Sequence, residues 1–357
     1  MNMPFSPQAI TVRILAHDDQ NELKRIDKFV RDHAEGTAFH RPAWTVAVSK
    51  ACGHEWCYML AENDGGELQA ILPLTLVHSA LFGRALVSSG FAVGGGILSL
   101  SDHATQMLAD TAWDFAEVHS FPTVELRGGS TPCGKWQNKD GVYAGFVTDL
   151  ADSDENQLLA IPRKQRAEVR KGLKNELVVR IGSSEVERSD HYRVYAESVR
   201  NLGTPVFPKA LFDAVMHGFE ADADILTVLS DGQPVASVLS LYHNGTVMPY
   251  WGGGTYEARR LRANDVMYYA LMNHARERGC QRFDFGRSKV GTGAYAFKKN
   301  WGFEPQALSY AIRTGDGEEA RDVNPMSPKY RLQVALWQKL PLSVANRLGP
   351  IIAKGLG

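Results

Sequence analysis

The residues best suited to chemistry lie between positions 282 and 303. Phe283-Asp284-Phe285 reads as a short strand with both phenylalanines on one face and Asp284, like Arg282, on the other. It opens into a loop rich in glycine and serine, then a short helix through Tyr295, Phe297, Lys298 and Lys299 that stops at Gly302. A carboxylate, a guanidinium (Arg287), a hydroxyl (Ser288) and two ammonium groups therefore sit on one strand–loop–helix turn. Ligands of such sheets bind beyond the carboxyl ends of the strands. Gly286, Gly291 and Gly293 allow a backbone to approach one closely. Clustered aromatics, Tyr295, Phe297, Trp301 and Phe303, are uncommon in a merely connecting loop. Arg287, Ser288, Tyr295, Lys299 and Trp301 are the substrate-binding candidates here, with Tyr250, Trp251 and Asn264 from the strand and helix upstream. Asp284 is a candidate base, with Asp265 and Tyr250 as alternatives, and serves equally well as a structural partner of Arg287.

The elements that must position this turn occur twice. In the second half, Ile225–Ser230 reads as a strand, Asp231-Gly232-Gln233 as a turn and Val235–Tyr242 as a strand. Asn244-Gly245 reads as a type I′ hairpin turn, and Thr246–Trp251 as a strand ending in Gly252-Gly253-Gly254. A helical stripe from Asn264 to Arg278 and a strand from Gln281 follow. In the first half the order is Trp56–Ala61, the turn Asp64-Gly65-Gly66, Leu68–Val77, Ala85–Phe91, Gly94-Gly95-Gly96, a helix over Thr105–His119 and Thr123–Leu126. Three meandering strands, a helix and a parallel fourth strand make a mixed sheet, the core order of the GNAT acyltransferase fold. The expected architecture is α/β: two tandem GNAT-like domains, 1–150 on the scaffold or substrate side and 151–315 with the active site, then a helical tail over 316–357.

Between the copies, Ile161-Pro162 opens a helix with six basic residues from Arg163 to Lys174 against one acid, Glu168. Arg163, Arg166 and Arg170 share one face, which suits either anion binding or a merely solvated surface.

Phe297-Lys298-Lys299-Asn300-Trp301-Gly302 resembles the F-K-K-x-[FW]-G motif of the FemAB/FemX family of aminoacyl-tRNA-dependent transferases. Arg282 to Pro305, and the tail from Asn324-Pro325 and Pro328-Lys329-Tyr330 to Gly349-Pro350 and Gly355-Leu356-Gly357, are similar to its subgroup linked to PEP-CTERM/exosortase and exopolysaccharide loci. The resemblance implies two GNAT-like domains. It also implies that Lys298 stabilises the tetrahedral intermediate of acyl transfer, as a fixed ammonium beside a developing oxyanion would. The expected reaction forms an amide on an amine of a cell-envelope or exopolysaccharide precursor, possible acceptors being nucleotide- or lipid-linked sugars. Two departures leave the donor open between acyl-coenzyme A and aminoacyl-tRNA, with no tightly bound cofactor. No heptad run supplies a coiled-coil arm. The stretch Arg259-Arg260-Leu261-Arg262-Ala263-Asn264 is basic but lacks the glycines of a coenzyme A pyrophosphate loop. A competing expectation is a non-catalytic GNAT-like module that holds a nucleotide sugar or polyanion.

The rest of the composition bounds these readings. With 39 basic and 40 acidic residues the chain has no overall pull toward nucleic acid. Four scattered cysteines, Cys52, Cys57, Cys133 and Cys280, form no disulfide framework and no metal-ligand spacing. No signal peptide is read in Met1–Ile14 and no apolar run spans a membrane, so a cytoplasmic location is expected, with a possible place at the inner membrane surface. After Asp322 no acidic residue occurs, and basic and apolar positions interleave; the tail reads either as a membrane-surface contact or as helices packed on the body.

Overall fold

A computed structural model describes residues 9–318 and 328–357. Asn324 and Pro325 of the tail resemblance, and the first eight residues, lie outside them. The chain forms two compact units whose borders differ from those read in the sequence. The first takes in Met1–Lys139, Ser309–Asp322 and Gly357; the second takes in Asp140–Leu308 and Val323–Leu356.

The first unit contains β1 (Ile10–Leu15), α1 (Gln20–Asp32), α2 (Pro42–Cys52), β2 (Glu55–Asn63), β3 (Leu68–Ser79), β4 (Gly83–Ser88), β5 (Leu98–Ser99), α3 (Asp102–Val118) and β6 (Thr123–Arg127). β1 to β4 form an antiparallel meander, and β6 returns parallel to β4 with Leu86 opposite Val124. Met59, Leu72, Leu86, Leu108 and Val124 fill the core under α3.

The second unit begins with β7 (Gln137–Asp149), α4 (Asp154–Ala160), α5 (Arg163–Gly172), β8 (Leu177–Gly182), α6 (Glu185–Leu202) and α7 (Lys209–Phe219). It repeats the order of the first: β9 (Ala223–Ser230), β10 (Gln233–His243), β11 (Thr246–Gly254), α8 (Tyr256–Leu261), α9 (Ala263–Glu277) and β12 (Arg282–Asp284). Asn244 and Gly245 both take positive φ, 44° and 68°, as a type I′ turn requires. β9, β10 and β11 are antiparallel, and β12 lies parallel to β11. Then come β13 (Ser288–Lys289), α10 (Gly293–Asn300), β14 (Pro305–Thr314), α11 (Pro328–Trp337) and α12 (Leu342–Ala353).

Strand pairing explains the displaced borders. The end of β7 pairs antiparallel with β12, Thr148 opposite Phe283, which draws residues from Asp140 into the second unit. Tyr310–Thr314 of β14 pairs with β6, which returns Ser309–Asp322 to the first. Two tandem mixed-sheet α/β units with C-terminal helices are the architecture expected.

Candidate active site

β11 and β12 touch only at their beginnings, where Thr246 and Val247 face Arg282 and Phe283. β12 then stops at Asp284 while β11 runs on to Gly254 alongside β10. Because hydrogen bonding ceases after two residues, the strands diverge and a cleft is open at their carboxyl ends, where α/β sheets hold ligands. A cavity of about 440 Å³ lies there, lined by Gly252–Thr255 of β11, Ser198 of α6, Asn264 and Tyr268 of α9 and Phe297 of α10. The three glycines are a packing requirement. A Cβ at Gly252, Gly253 or Gly254 would lie 2.9 Å or less from Tyr268 Oη, Ser198 Oγ and Asn264 Oδ1 respectively. The Asn264 Oδ1 and Thr255 Oγ1 atoms are buried without a hydrogen-bond partner. Upstream, the register shifts between Leu239 opposite Trp251 and Ser240 opposite Pro249, so Tyr250 is the extra residue of a β-bulge.

α10 is fixed at both ends. Thr292 Oγ1 accepts from the Tyr295 N–H at 3.3 Å, and Gly302 (φ 88°) ends the helix with its N–H on Lys299 O. Lys298 is the one residue of this helix that is buried, an inversion of ordinary amphipathic order. Its Nζ donates to Gly286 O at 3.1 Å and Arg287 O at 3.0 Å. It also faces the rings of Phe146 and Phe285 at 5.4 and 5.9 Å. An ammonium has three donors, so two carbonyls leave one N–H available. Burial pushes Lys298 down to about 8; the Asp284 charge opposes this and that of Arg287 adds to it. Burial also pushes the Asp284 carboxyl up, against the Gly286 N–H, which donates to its Oδ1 at 2.7 Å, and against the charges of Lys298 and Arg282. A lysine easier to deprotonate and an aspartate easier to protonate, held at one turn, are groups whose environments favour proton exchange at moderate pH.

Asp284, Arg287, Ser288 and Lys298 are thus brought together. Arg287 lies over the Tyr143 ring at 4.5 Å, and Ser288 Oγ is buried without a hydrogen-bond partner. Tyr295 packs edge-on to Phe146, next to Lys298. Asn264 lines the cavity itself. Three of the candidates do not line the cavity. Trp301 is a core side chain packed among Phe285, Phe297 and Tyr268, because the short helix must bury its outgoing end. Trp251 is likewise buried, 4.6 Å from the Phe212 ring. Lys299, one step around from Lys298, points to solvent. Of the alternative bases, Asp265 accepts from Gln165 on α5 and is pushed up by burial.

Arg163, Arg166 and Arg170 line a separate shallow groove of about 310 Å³ with Lys171 and Lys174. Among the described residues, Lys171 of this group has a carboxylate partner, Glu168. The residues that sequence reasoning missed are those of α6, Ser198, Asn201 and Leu202, together with Thr255, Tyr256 and Arg259. The S-x-x-E capping box Ser184/Glu187 was a usable signal for the helix.

Residues 163–299, within the second unit, match the acetyltransferase (GNAT) domain family, and the first unit repeats the order of its strands and crossover helix, giving two GNAT-like units in tandem. Among solved structures it is similar to FemX, with a TM-score of 0.64 at 15% identity, over 83% of this chain and 96% of that one. It is also similar to a tandem GNAT protein from the clavulanic acid biosynthesis pathway, with a TM-score of 0.53 at 13% identity, over 87% of this chain and 100% of that one. A third is the C-terminal domain of a putative lysylphosphatidylglycerol synthetase from Agrobacterium fabrum, at 0.53 and 13%, over 83% and 92%. No curated protein matches the sequence.

Proposed function

We propose that the second unit transfers an acyl or aminoacyl group to an amine of a cell-envelope or exopolysaccharide precursor, the reaction of the FemAB-like enzymes. The observation that carries this is Lys298: a buried ammonium, tethered by two backbone carbonyls just beyond the end of β12, on the helix whose Gly293, Ala294 and Phe297 line the cleft. Attack of an amine on an ester or thioester carbon places negative charge on the carbonyl oxygen. The remaining N–H of Lys298 is the donor for that oxyanion, and low dielectric around it raises its effect. Asp284 takes the proton that the attacking amine must lose and returns it to the departing hydroxyl oxygen or thiolate as the ester or thioester bond breaks and the amide forms. Arg287, Ser288, Tyr295 and Asn264 orient the substrates. The first unit serves as scaffold or acceptor side, and the enzyme works in the cytoplasm without a tightly bound cofactor.

Between the two donors, the segment Arg259–Asn264 bears on coenzyme A. It forms the end of α8, a left-handed Arg262 (φ 56°) and the start of α9, where an open glycine loop would be needed to cradle a pyrophosphate. That favours aminoacyl-tRNA. The groove of Arg163, Arg166 and Arg170 favours a phosphate-bearing ligand in either reading, and it is the observation behind the alternative, a non-catalytic module for a nucleotide sugar or polyanion.

The test is intact-mass analysis of products after incubation with aminoacyl-tRNA, acyl-coenzyme A and amino-sugar acceptors. Lys298→Ala is expected to lower the transfer rate by about 10²–10³ with the fold retained. Full activity in that variant overturns the assignment. Tight binding that depends on Arg163, Arg166 and Arg170, with no turnover of any donor, favours the binding module.

A further inference from the structure

The last helix is built largely inside out. In α12 the fully buried residues are small: Ala345, Gly349 and Ala353, at helical spacing, with Leu342 at its start packed on Ala196, Val199 and Val206. Gly349 sits so close to Val206 that a Cβ there would lie 3.0 Å from its backbone N. The large residues face outward: Val344, Leu348 and Ile351 form an i, i+4, i+7 stripe, and Ile351 is 72% exposed. In α11, Leu332 and Leu336 are one turn apart and also exposed. A helix that buries its small residues and presents its aliphatic ones has a second partner still to meet.

We infer that this outer face docks the second unit on an anionic lipid bilayer. Residues 323–357 contain five basic residues and no acid, in a chain whose overall charge is −1. Lys339, Arg347 and Lys354 are exposed beside the aliphatic stripe. Aliphatic side chains ringed by cations are the composition that enters a headgroup layer, hydrocarbon inward and ammonium or guanidinium on phosphate. The same charge argues against a second copy as the occupant. A two-fold interface would bring two sets of Lys339, Arg347 and Lys354 together. Nucleic acid would satisfy the cations and leave the aliphatic stripe in water.

The docking surface adjoins the cleft. α11 packs on the end of α6, where the Val334 side chain closes on Gly203 and Arg200 Nη1 donates to Gln338 O at 3.3 Å. The preceding turn of α6 supplies Ser198, Asn201 and Leu202 to the cavity wall, and Leu202 is itself exposed. The end of α6 thus contacts both α11 and the cavity, which fits an acceptor carried on a lipid.

The full chain, sedimented with vesicles of phosphatidylcholine alone and of equal parts phosphatidylcholine and phosphatidylglycerol, tests this without any acyl donor. Failure of the transfer reading therefore leaves the result intact. The expected result is partition onto the anionic vesicles only, weakening with salt. Leu348→Ser/Ile351→Ser and Lys339→Glu/Arg347→Glu should each lower partition by about tenfold or more. All four positions are exposed, so the unfolding transition should not move and serves as the folding control. Absence of partition by the unmodified chain, or partition indifferent to both double variants, overturns the inference. So does a dimer in solution that the same substitutions dissociate, which would assign the face to a second copy.

Discussion

Replacing Lys298 by methionine tests the site through stability. Met preserves length and lack of branching, so the helix and its aromatic surroundings keep their packing. The change removes a charge whose burial the fold must offset. The ordinary value of 10.5 falls to about 8 in the protein. That gap corresponds to about 3 kcal/mol of native-state destabilisation at neutral pH. The direction follows from proton binding. The unfolded chain holds the Lys298 proton more tightly, so between pH 8 and 10.5 it carries more protons than the native state, and stability rises with pH across that window. Methionine has no such dependence. Subtracting its stability from that of the unmodified chain cancels the titrating groups that do not interact with Lys298; Asp284, whose carboxyl the Lys298 charge lowers, is the exception, and losing that charge adds to the difference in the same direction. The difference should move by about 2–3 kcal/mol in favour of lysine between pH 7 and pH 10. At any single pH the sign is less informative, because Met also leaves Gly286 O and Arg287 O without their donor, at about 1 kcal/mol each. Urea unfolding of both proteins at the two pH values provides the measurement. A difference that stays constant would mean that Lys298 is not held in a desolvated site, and the oxyanion argument built on its burial would fail with it.

The transfer rate should fall as pH rises through about 8, as Nζ loses its proton; a rate that still climbs above pH 9 would exclude the ammonium as oxyanion donor. Gly253→Ala places a Cβ 2.5 Å from Ser198 Oγ and should cost about 1–3 kcal/mol, while Ser198→Gly in the same chain should recover most of it, since the next neighbour, Tyr195, is 3.8 Å away. Additive losses in that double variant would disprove the packing account of the glycines. Away from the cleft, buried Asp224 accepts from Tyr242 Oη at 2.9 Å and pairs with Arg278 at 3.1 Å and His274 at 2.7 Å. Asp224→Ala should therefore cost about 3 kcal/mol or more, read as a lowered urea midpoint, with no direct effect on the cleft.

Punctuation made the repeated core legible in the sequence. Asn244-Gly245 and Asp231-Gly232 are turns that accept positive φ at both positions, and the period-two runs between them had one reading. Lys298 was legible only through a motif. Neither charge nor spacing distinguishes it from Lys299; what separates them is helical phase, which buries one and exposes the other. Trp301 misled for a related reason: an aromatic in a glycine-rich stretch suits a ligand wall and a core equally until packing decides. The unit borders were hidden because β7 and β14 are claimed by strand partners far away in sequence, Thr148 by Phe283 and Ala311 by Leu126. α6 was passed over because its buried residues include Glu187 and His191, which break the apolar stripe a sequence reader follows.

Under the proposed transfer reaction, what separates the two copies is the acid on the strand that follows the crossover helix. Glu125 on β6 occupies the place that Asp284 occupies on β12, since both follow the crossover helix and both strands run parallel to the third strand of their meander. In the first unit Arg127, two residues on, pairs with Glu125 at 2.8 Å and spends another donor on Ala92 O. That acid is neutralised by a cation of its own strand, which has no mobile proton to offer. In the second unit the residue two beyond Asp284 is Gly286, which contributes only a backbone N–H, and the nearby cation comes from α10 on a separate tether. An acid and a base held by different elements can face a common ligand; an acid paired within its own strand cannot. The two copies thus hold the equivalent acid differently, and under the proposed reaction it is the second, with its compensating charge on α10, that leaves the acid able to exchange a proton.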